Sequence, residues 1–553
     1  MCILTVGMIA CTEKNTPDNT GNNTDPSGEA IDTTGNNVND LVWSDTIYIA
    51  WNGNEATVTG ELDSIEVSNS SGYVSVHSSV KRLITYILSG NGSGQFTIYG
   101  SIKHNLTLNG LTLTCNDGPA INNQCHKKCF VVVNGTNTLT DGSSYASSDE
   151  DRKAAFFSEG QMIFSGSGSL TVKGNYKHAI ASDDYIHLPA DFTGNMSLTS
   201  ASDGLHANDA MLISGGSVTI NAGSDGIQCD STITINGGVI TISAEGDGIQ
   251  SDTTDIIING GTINITNAGD KGIVAFRDIT INGGTIRVSS EYKCLKAGKK
   301  ENNTVVSAGN IHITNGDIQV ICNGEKSSSG GGGNPWGGSS SSDSSSPEAI
   351  EAKGTIIIDG GYVYAQSADD AINSGGDLTI NGGCVMAYST GNDGIDANGN
   401  CYINGGLIYA IGSSDPEVAI DANTEKNKQL YIQGGTIIAL GKLERGASLS
   451  QACYQVSSWD AKTWYSITVG DETFAFYTPA KSSSGGGPNW APPGGGGSSQ
   501  TTPLVVSGSS QPTVKKGVSV SGGTTIFNGM GVQQGTVSGG SEVSLSKYSS
   551  SSY

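Results

Sequence analysis

Nine times between Leu205 and Ile420 a large aliphatic residue recurs in one local context: Leu205, Ile227, Ile249, Ile273, Leu295, Ile350, Ile372, Ile395 and Ile420. The steps between them are 22, 22, 24, 22, 55, 22, 23 and 25 residues. A repeat of this length marks a solenoid, in which each unit buries its apolar side only against its neighbours. A second marker, a Gly-Gly pair usually preceded by Asn, begins at Gly215, Gly237, Gly260, Gly283, Gly360, Gly382, Gly405 and Gly434. Each unit holds three short β stretches, as in GIQSD, DIIIN and GTINIT, and none has helical periodicity. Two residues beyond each aliphatic, on the same side of an extended strand, stand Ala207, Cys229, Ser251, Ala275, Ala297, Ala352, Ser374, Ala397 and Ala422. A large column beside a small one is what stacked, inward-facing positions of a parallel β-helix require. The fold expected is all-β, a parallel β-helix of roughly a dozen coils and roughly 60 Å in length at the spacing of hydrogen-bonded strands.

Composition agrees. Glycine supplies 79 of 553 residues and weakens helices, while only 14% of residues are charged, too few for a solvated disordered chain. The balance of 28 Lys+Arg against 52 Asp+Glu gives a net charge of −24 and argues against nucleic acid as a partner, since such binding rests on basic side chains. No stretch reaches the roughly 18 apolar residues of a membrane-spanning helix.

The organisation follows from breaks in the pattern. Residues 1–10 read as the end of a signal-peptide core, and Met8-Ile9-Ala10-Cys11 resembles the lipobox of bacterial lipoproteins, with Cys11 as the lipidated residue. Residues 11–40 read as a disordered polar linker, 41–100 as an N-terminal β cap, 101–446 as the β-helix and 447–553 as a C-terminal β region. Two glycine- and serine-rich stretches, 324–346 and 482–499, read as loops, each with a single tryptophan, Trp336 and Trp490. Either indole is suited to stack on a sugar ring or to pin its loop. Trp43, Trp51, Trp459 and Trp464 read as core or cap residues. Nine cysteines remain outside Cys2 and Cys11, an odd number that excludes complete intramolecular pairing. Cys115, Cys125, His126 and Cys129 cluster without the paired spacing of a zinc site.

The chemistry expected lies on the ridge beside the aliphatic column. Stacking would bring carboxylates of successive coils about 5 Å apart, a repulsion that calcium relieves by taking 6 to 8 oxygens. Two clusters qualify as calcium ligands: Asp203, Asp225, Asp230, Asp247 and Asp252, and further on Asp369, Asp370, Asp393, Asp396 and Asp421. The plainer reading has these side chains accepting turn N–H groups. Between the clusters, Lys271 to Lys300 holds seven cationic residues, where the chain average predicts about 1.5. Lys271, Lys293 and Lys296 share the ridge; Lys293 and Lys296 are candidates to bind an acidic sugar, and all three to act as the base of a metal-assisted β-elimination. Ion pairs from Lys293 and Lys296 to Glu348 and Glu351 in the next coil are the structural alternative.

The block Asn137-Thr138-Leu139-Thr140-Asp141-Gly142-Ser143-Ser144-Tyr145, the block from Gly166 to Tyr176 (GSGSLTVKGNY), and the repeated Asp-Gly-Ile and Ile-Asn-Gly-Gly motifs resemble a bacterial carbohydrate-binding β-helix family over about residues 60 to 480. That resemblance implies a right-handed β-helix similar to that of pectate lyases, bound calcium, and affinity for cellulose-like or acidic polysaccharide without demonstrated catalysis. Three functions are therefore expected to compete: a noncatalytic surface binder of polysaccharide, a uronate lyase, and a structural or adhesive rod. The binder leads, exported and anchored to a membrane only through its lipid, with no protein partner expected.

Overall fold

The computed structural model describes residues 33–60, 63–301, 304–325, 346–413, 417–456, 458–480, 503–526 and 531–550. Cys11, Trp336 and Trp490 lie outside the described residues. The repeats form a parallel β-helix with three faces. The first carries the aliphatic column, in strands such as Leu205–Ala207, Ile227–Cys229 and Ile249–Ser251, within a sheet of fourteen strands. The second runs through Thr232–Ile235, Ile256–Ile258 and Ile279–Ile281, and the third through Val239–Ala244, Thr262–Ala268 and Thr285–Ser290.

Register follows the repeat. Leu205 pairs with Ile227, Ile227 with Ile249, Ile249 with Ile273, Ile273 with Leu295 and Leu295 with Ile350, all at 0% exposure. The column continues through Ile372 and Ile395 to Ile420. The small column from Ala207 to Ala422 is buried beside it. Burial of these aliphatics, each stabilising by about 1.5–3 kcal/mol, is the main driving force.

Glycine serves two purposes in each coil. Gly238, second of a Gly-Gly pair, has φ +82°, a left-handed conformation that other L residues adopt at a cost. Gly226 is needed for closeness: a Cβ there would lie 2.4 Å from Ile242 Cγ2 and 2.6 Å from the Gly248 carbonyl oxygen. The Asn before Gly-Gly forms a ladder outside the core. Asn259 Nδ2 donates to Asn236 Oδ1 at 2.8 Å, and Asn282 Nδ2 donates to Asn259 Oδ1 at 2.8 Å. Asn259→Ala removes both bonds at an exposed position, and a loss of about 1–2 kcal/mol is expected in urea denaturation.

Parallel pairing begins ahead of residue 101. Asp45–Gly53 runs parallel to Ile84–Ser93, and Tyr73–Ser78 to Gln95–Gly100. Only two antiparallel hairpin arms among these strands, Glu55–Gly60 and Ile65–Ser70, serve as a cap. His104–Thr114 is one long strand that serves two faces, pairing with Cys129–Asn134 through its first half and Thr136–Thr140 through its second. The two blocks quoted for the family resemblance hold these coils together. Asn137, at 0% exposure, accepts from the Leu111 N–H at 2.9 Å and donates to the Asn134 carbonyl at 2.9 Å. Tyr145 donates to Asp141 Oδ2 at 2.6 Å and stacks on Tyr176 at 4.2 Å.

At the other end, Leu504–Ser507 runs antiparallel to Thr436–Leu440. Four strands, Trp464–Val469, Glu472–Tyr477, Thr513–Ile526 and Val532–Glu542, close a small barrel. The barrel packs on the third face, where Tyr364, Met386 and Tyr409 are buried beneath it and Tyr409 donates to the Tyr477 carbonyl at 2.9 Å. The four tryptophans expected in core or cap are there: Trp51 and Trp459 are buried, Trp43 packs edge-on to Phe130, and Trp464 meets Tyr477. All nine described cysteines are free, and Cys115, Cys125 and Cys129 are buried thiols. Among the described residues no helix is long and apolar enough to cross a membrane.

Candidate functional site

Because side chains alternate along a strand, the residue between the two buried columns of the first face points outward. The register makes these a continuous row: His206, Gln228, Gln250, Val274, Lys296, Glu351, Asn373 and Asp396. The ridge residue just before each strand flanks this row. Its aspartates share one bond. Asp203 Oδ1 accepts the Asp225 N–H at 3.1 Å, Asp225 Oδ1 that of Asp247 at 2.7 Å, and Asp247 Oδ1 that of Lys271 at 2.8 Å. Further along, Asp370 Oδ1 accepts the Asp393 N–H at 3.0 Å and Asp393 Oδ1 that of Val418 at 2.5 Å. One oxygen of each ridge aspartate therefore holds the next coil in place, as the turn-capping reading expects, and the second oxygen is left for other work.

The two acidic clusters differ. In the first, Asp203 is taken up by two imidazoles: His178 Nδ1 lies 3.0 Å and His206 Nδ1 3.1 Å from its Oδ2. Burial opposes its ionisation, but these imidazoles outweigh it and hold the carboxyl well below the usual range. Asp225 is pushed up to about 7 by burial and by the charge of Asp247, and Asp247 to about 6 by burial against the pull of Lys271. Asp230 and Asp252 lie in the turn on the other side of the strand, where Gln228 Nε2 donates to them at 3.3 and 2.5 Å. The expected five-residue cluster is thus divided by the strand that separates its two turns.

The carboxylates of the second cluster feel one another's charge, although among the described residues no three of them bring donor atoms within 4.8 Å of one another. Asp370 is pushed up to about 9 by burial and then by the charges of Asp396, Glu348, Asp369 and Asp393. Asp393 rises to about 7, again through burial, with Glu417 and Asp396 nearby. Asp396 and Asp421 are both raised by burial, and Asp421 also by a hydrogen bond with Glu444. Glu417 and Glu444 join this cluster without having been singled out in the sequence, because each belongs to a coil whose spacing departs from 22 residues, and Glu348 joins it besides pairing with Lys293. An all-oxygen set of carboxylates raised by burial and mutual repulsion is a donor set that suits calcium.

The lysines separate by burial. Lys293 is 1% exposed and sits between Glu348 Oε2 at 2.7 Å and Glu351 Oε2 at 3.2 Å, also donating to the Ser346 carbonyl at 2.9 Å. The candidate sugar ligand Lys293 is instead an internal ion pair, because its stem enters the wall between coils. Burial works against its charge, yet the two carboxylates overcome it and raise the pKa. Lys271, bonded to Asp270 Oδ2 at 2.5 Å, is likewise raised despite burial. A general base works best with a lowered pKa, whereas the carboxylates around Lys271 and Lys293 hold both in the charged form that does not accept a proton. Lys296 is 4% exposed and stands in the wall of an open cleft of about 410 Å³, together with Gln250, Asp252, Phe276 and the exposed Lys299. A second cleft of about 750 Å³ opens at the N-terminal end of the same face, where His77 and Tyr99, in register, stack at 4.3 Å beside Glu66. Their 22-residue separation was the one sequence signal for it.

A family model described as carbohydrate-binding domain-containing protein matches residues 70–317 and 276–394. A solved structure described as the polysaccharide lyase-like protein from C. thermocellum, in a gadolinium derivative, is similar at 23% identity. The alignment covers 49% of this chain and 98% of that one, with a TM-score of 0.36. No curated protein matches the chain.

Proposed function

The chain belongs to the carbohydrate-binding domain-containing protein family, and on that premise we propose that it is a noncatalytic, calcium-dependent binder of acidic or cellulose-like polysaccharide. The observation that carries this reading is the cleft on the first face. There a chain of net charge −24 presents Lys299 and Lys300 beside amide and carboxylate groups and one aromatic ring, Phe276. Ammonium groups meet uronate carboxylates, amides meet hydroxyls, and the ring covers an apolar sugar face. Calcium, held by Asp369, Asp370, Asp393, Asp396 and Asp421, would neutralise the acidic ridge and so let an anionic glycan lie along the row. Export as a lipoprotein anchored through Cys11 would put the rod at the cell surface or facing the periplasm, where such polymers are met.

Retention on polygalacturonate and on cellulose, with calcium and then with chelator, tests this while ultraviolet absorbance is followed for unsaturated uronate. Calcium-dependent retention with a flat trace is expected, and Lys299→Ala with Lys300→Ala weakens polygalacturonate binding roughly 3- to 10-fold, as loss of partly solvated charges should. A calcium-dependent rise in absorbance would replace the binder by a lyase. Retention on neither glycan would leave the structural rod.

A further inference from the structure

The first cluster contains a group of different chemistry. His178 ends one coil's approach to the first face, and Asp203 and His206 occupy the equivalent stretch of the next. The imidazoles stack with centroids 4.2 Å apart, and both Nδ1 atoms converge on Asp203 Oδ2, at 3.0 and 3.1 Å. His178 and Asp203 are each 5% exposed. The other carboxylate oxygen is already committed to the Asp225 N–H and the Ser202 hydroxyl, at 3.1 and 3.3 Å.

The Asp203 N–H lies 3.3 Å from His178 Nδ1, a bond that nitrogen accepts only when its proton sits on Nε2. Either a proton on His178 Nδ1 or a cation shared between the two atoms accounts for that nitrogen lying 3.0 Å from Asp203 Oδ2. In the adjoining coil, Gln228 pairs in register with His206, and its buried Oε1 has no hydrogen-bond partner among the described residues. Among those residues, His178, Asp203 and His206 are the group of His, Cys and carboxylate donors that lie within 4.8 Å of one another.

The geometry points to a site for a divalent transition metal of the zinc class, held by His178, Asp203 and His206. Two imidazoles and one carboxylate are borderline ligands that suit zinc, cobalt or nickel, whereas calcium takes oxygen donors. Donors about 2.0–2.2 Å from a shared tetrahedral ion stand about 3.3–3.6 Å apart, so the two nitrogen–oxygen separations of 3.0 and 3.1 Å would widen by a few tenths of an ångström on binding. Because its ligands come from two coils, the ion would staple them together, independently of any calcium at the other end of the face.

The test uses the full chain, stripped with chelator, returned to excess calcium and titrated with cobalt(II). About one equivalent is expected to bind, with visible absorption bands, and zinc is expected to displace it. His178→Gln with His206→Gln is expected to weaken cobalt binding at least 100-fold while calcium binding is unchanged. No cobalt uptake by the folded wild-type chain, or uptake undiminished in the double variant, would overturn the assignment. If the double variant fails to fold, His206→Gln alone, at a partly exposed position, decides the matter through the same titration, with at least a 10-fold loss expected and an unchanged affinity counting against the site.

Discussion

Lys293→Met is expected to destabilise the coil that contains it by about 3–5 kcal/mol, because it leaves Glu348 and Glu351 buried against each other without their cation. The two carboxylates are 6% and 5% exposed, so water cannot replace the ammonium. Lys353 also contacts Glu351 and relieves part of the charge, which places the expected loss toward the lower end of that range. A solenoid is quasi-one-dimensional, so the effect is local. It is read as faster amide hydrogen exchange in Leu295–Ala297 and Ile350–Ala352, with Ile227–Cys229 unchanged. Adding Glu348→Gln and Glu351→Gln to Lys293→Met is expected to restore much of the protection. If the single variant exchanges like the wild type, the ion pair is dispensable and Lys293 is free for another role.

Acid is expected to loosen the N-terminal coils through His104. Burial pushes its imidazole down to about 4, from an ordinary value near 6.5. A histidine with a lowered folded pKa favours the fold while neutral. Unfolded chains take up the proton first as pH falls below about 6.5, so stability declines from there through about 4 and then levels off. Two and a half pKa units correspond to about 3 kcal/mol. His187, also pushed down to about 4 by burial, adds a similar dependence. His104→Phe preserves the edge-on packing against Tyr86 and is expected to remove about half of the fall in denaturation midpoint between pH 7 and pH 4.5. A midpoint that falls as steeply in the variant would show that His104 is not the sensor.

The β-helix was legible because its core is a list of equivalent positions. The column from Leu205 to Ile420 and the small residues beside it could be aligned by spacing alone, and the register reproduces that alignment rung by rung. Upstream the signal weakens for a physical reason. In His104–Thr114 one strand does the work of two, so the Gly-Gly turn that marks a coil elsewhere is missing. The acidic ridge could be read as a row, but not how its atoms are shared. Sequence cannot say that one oxygen of Asp225 is committed to the Asp247 N–H. Nor does it show that His178 and His206, 28 positions apart and in a coil of irregular length, stack on each other with both Nδ1 atoms against Asp203. Lys293 illustrates the same limit. Its ridge position was evident, yet only the path of its stem distinguishes a solvent-facing ligand from an internal ion pair.

The interlocking of each coil with the next has an evolutionary consequence. Because a ridge aspartate holds the N–H of its counterpart one turn later, and each aliphatic sits on its counterpart, excising a segment from one Asp-Gly pair to the following one rejoins equivalent surfaces. A partial excision does not. This chain can therefore lengthen or shorten readily only by whole turns or by loops inserted at the corners. The 55-residue step between Leu295 and Ile350 fits that constraint, since the two residues remain paired as neighbours. Duplication of one unit would extend the outward row by a single rung without disturbing any other, so the reach of this surface is a heritable quantity that varies in integers.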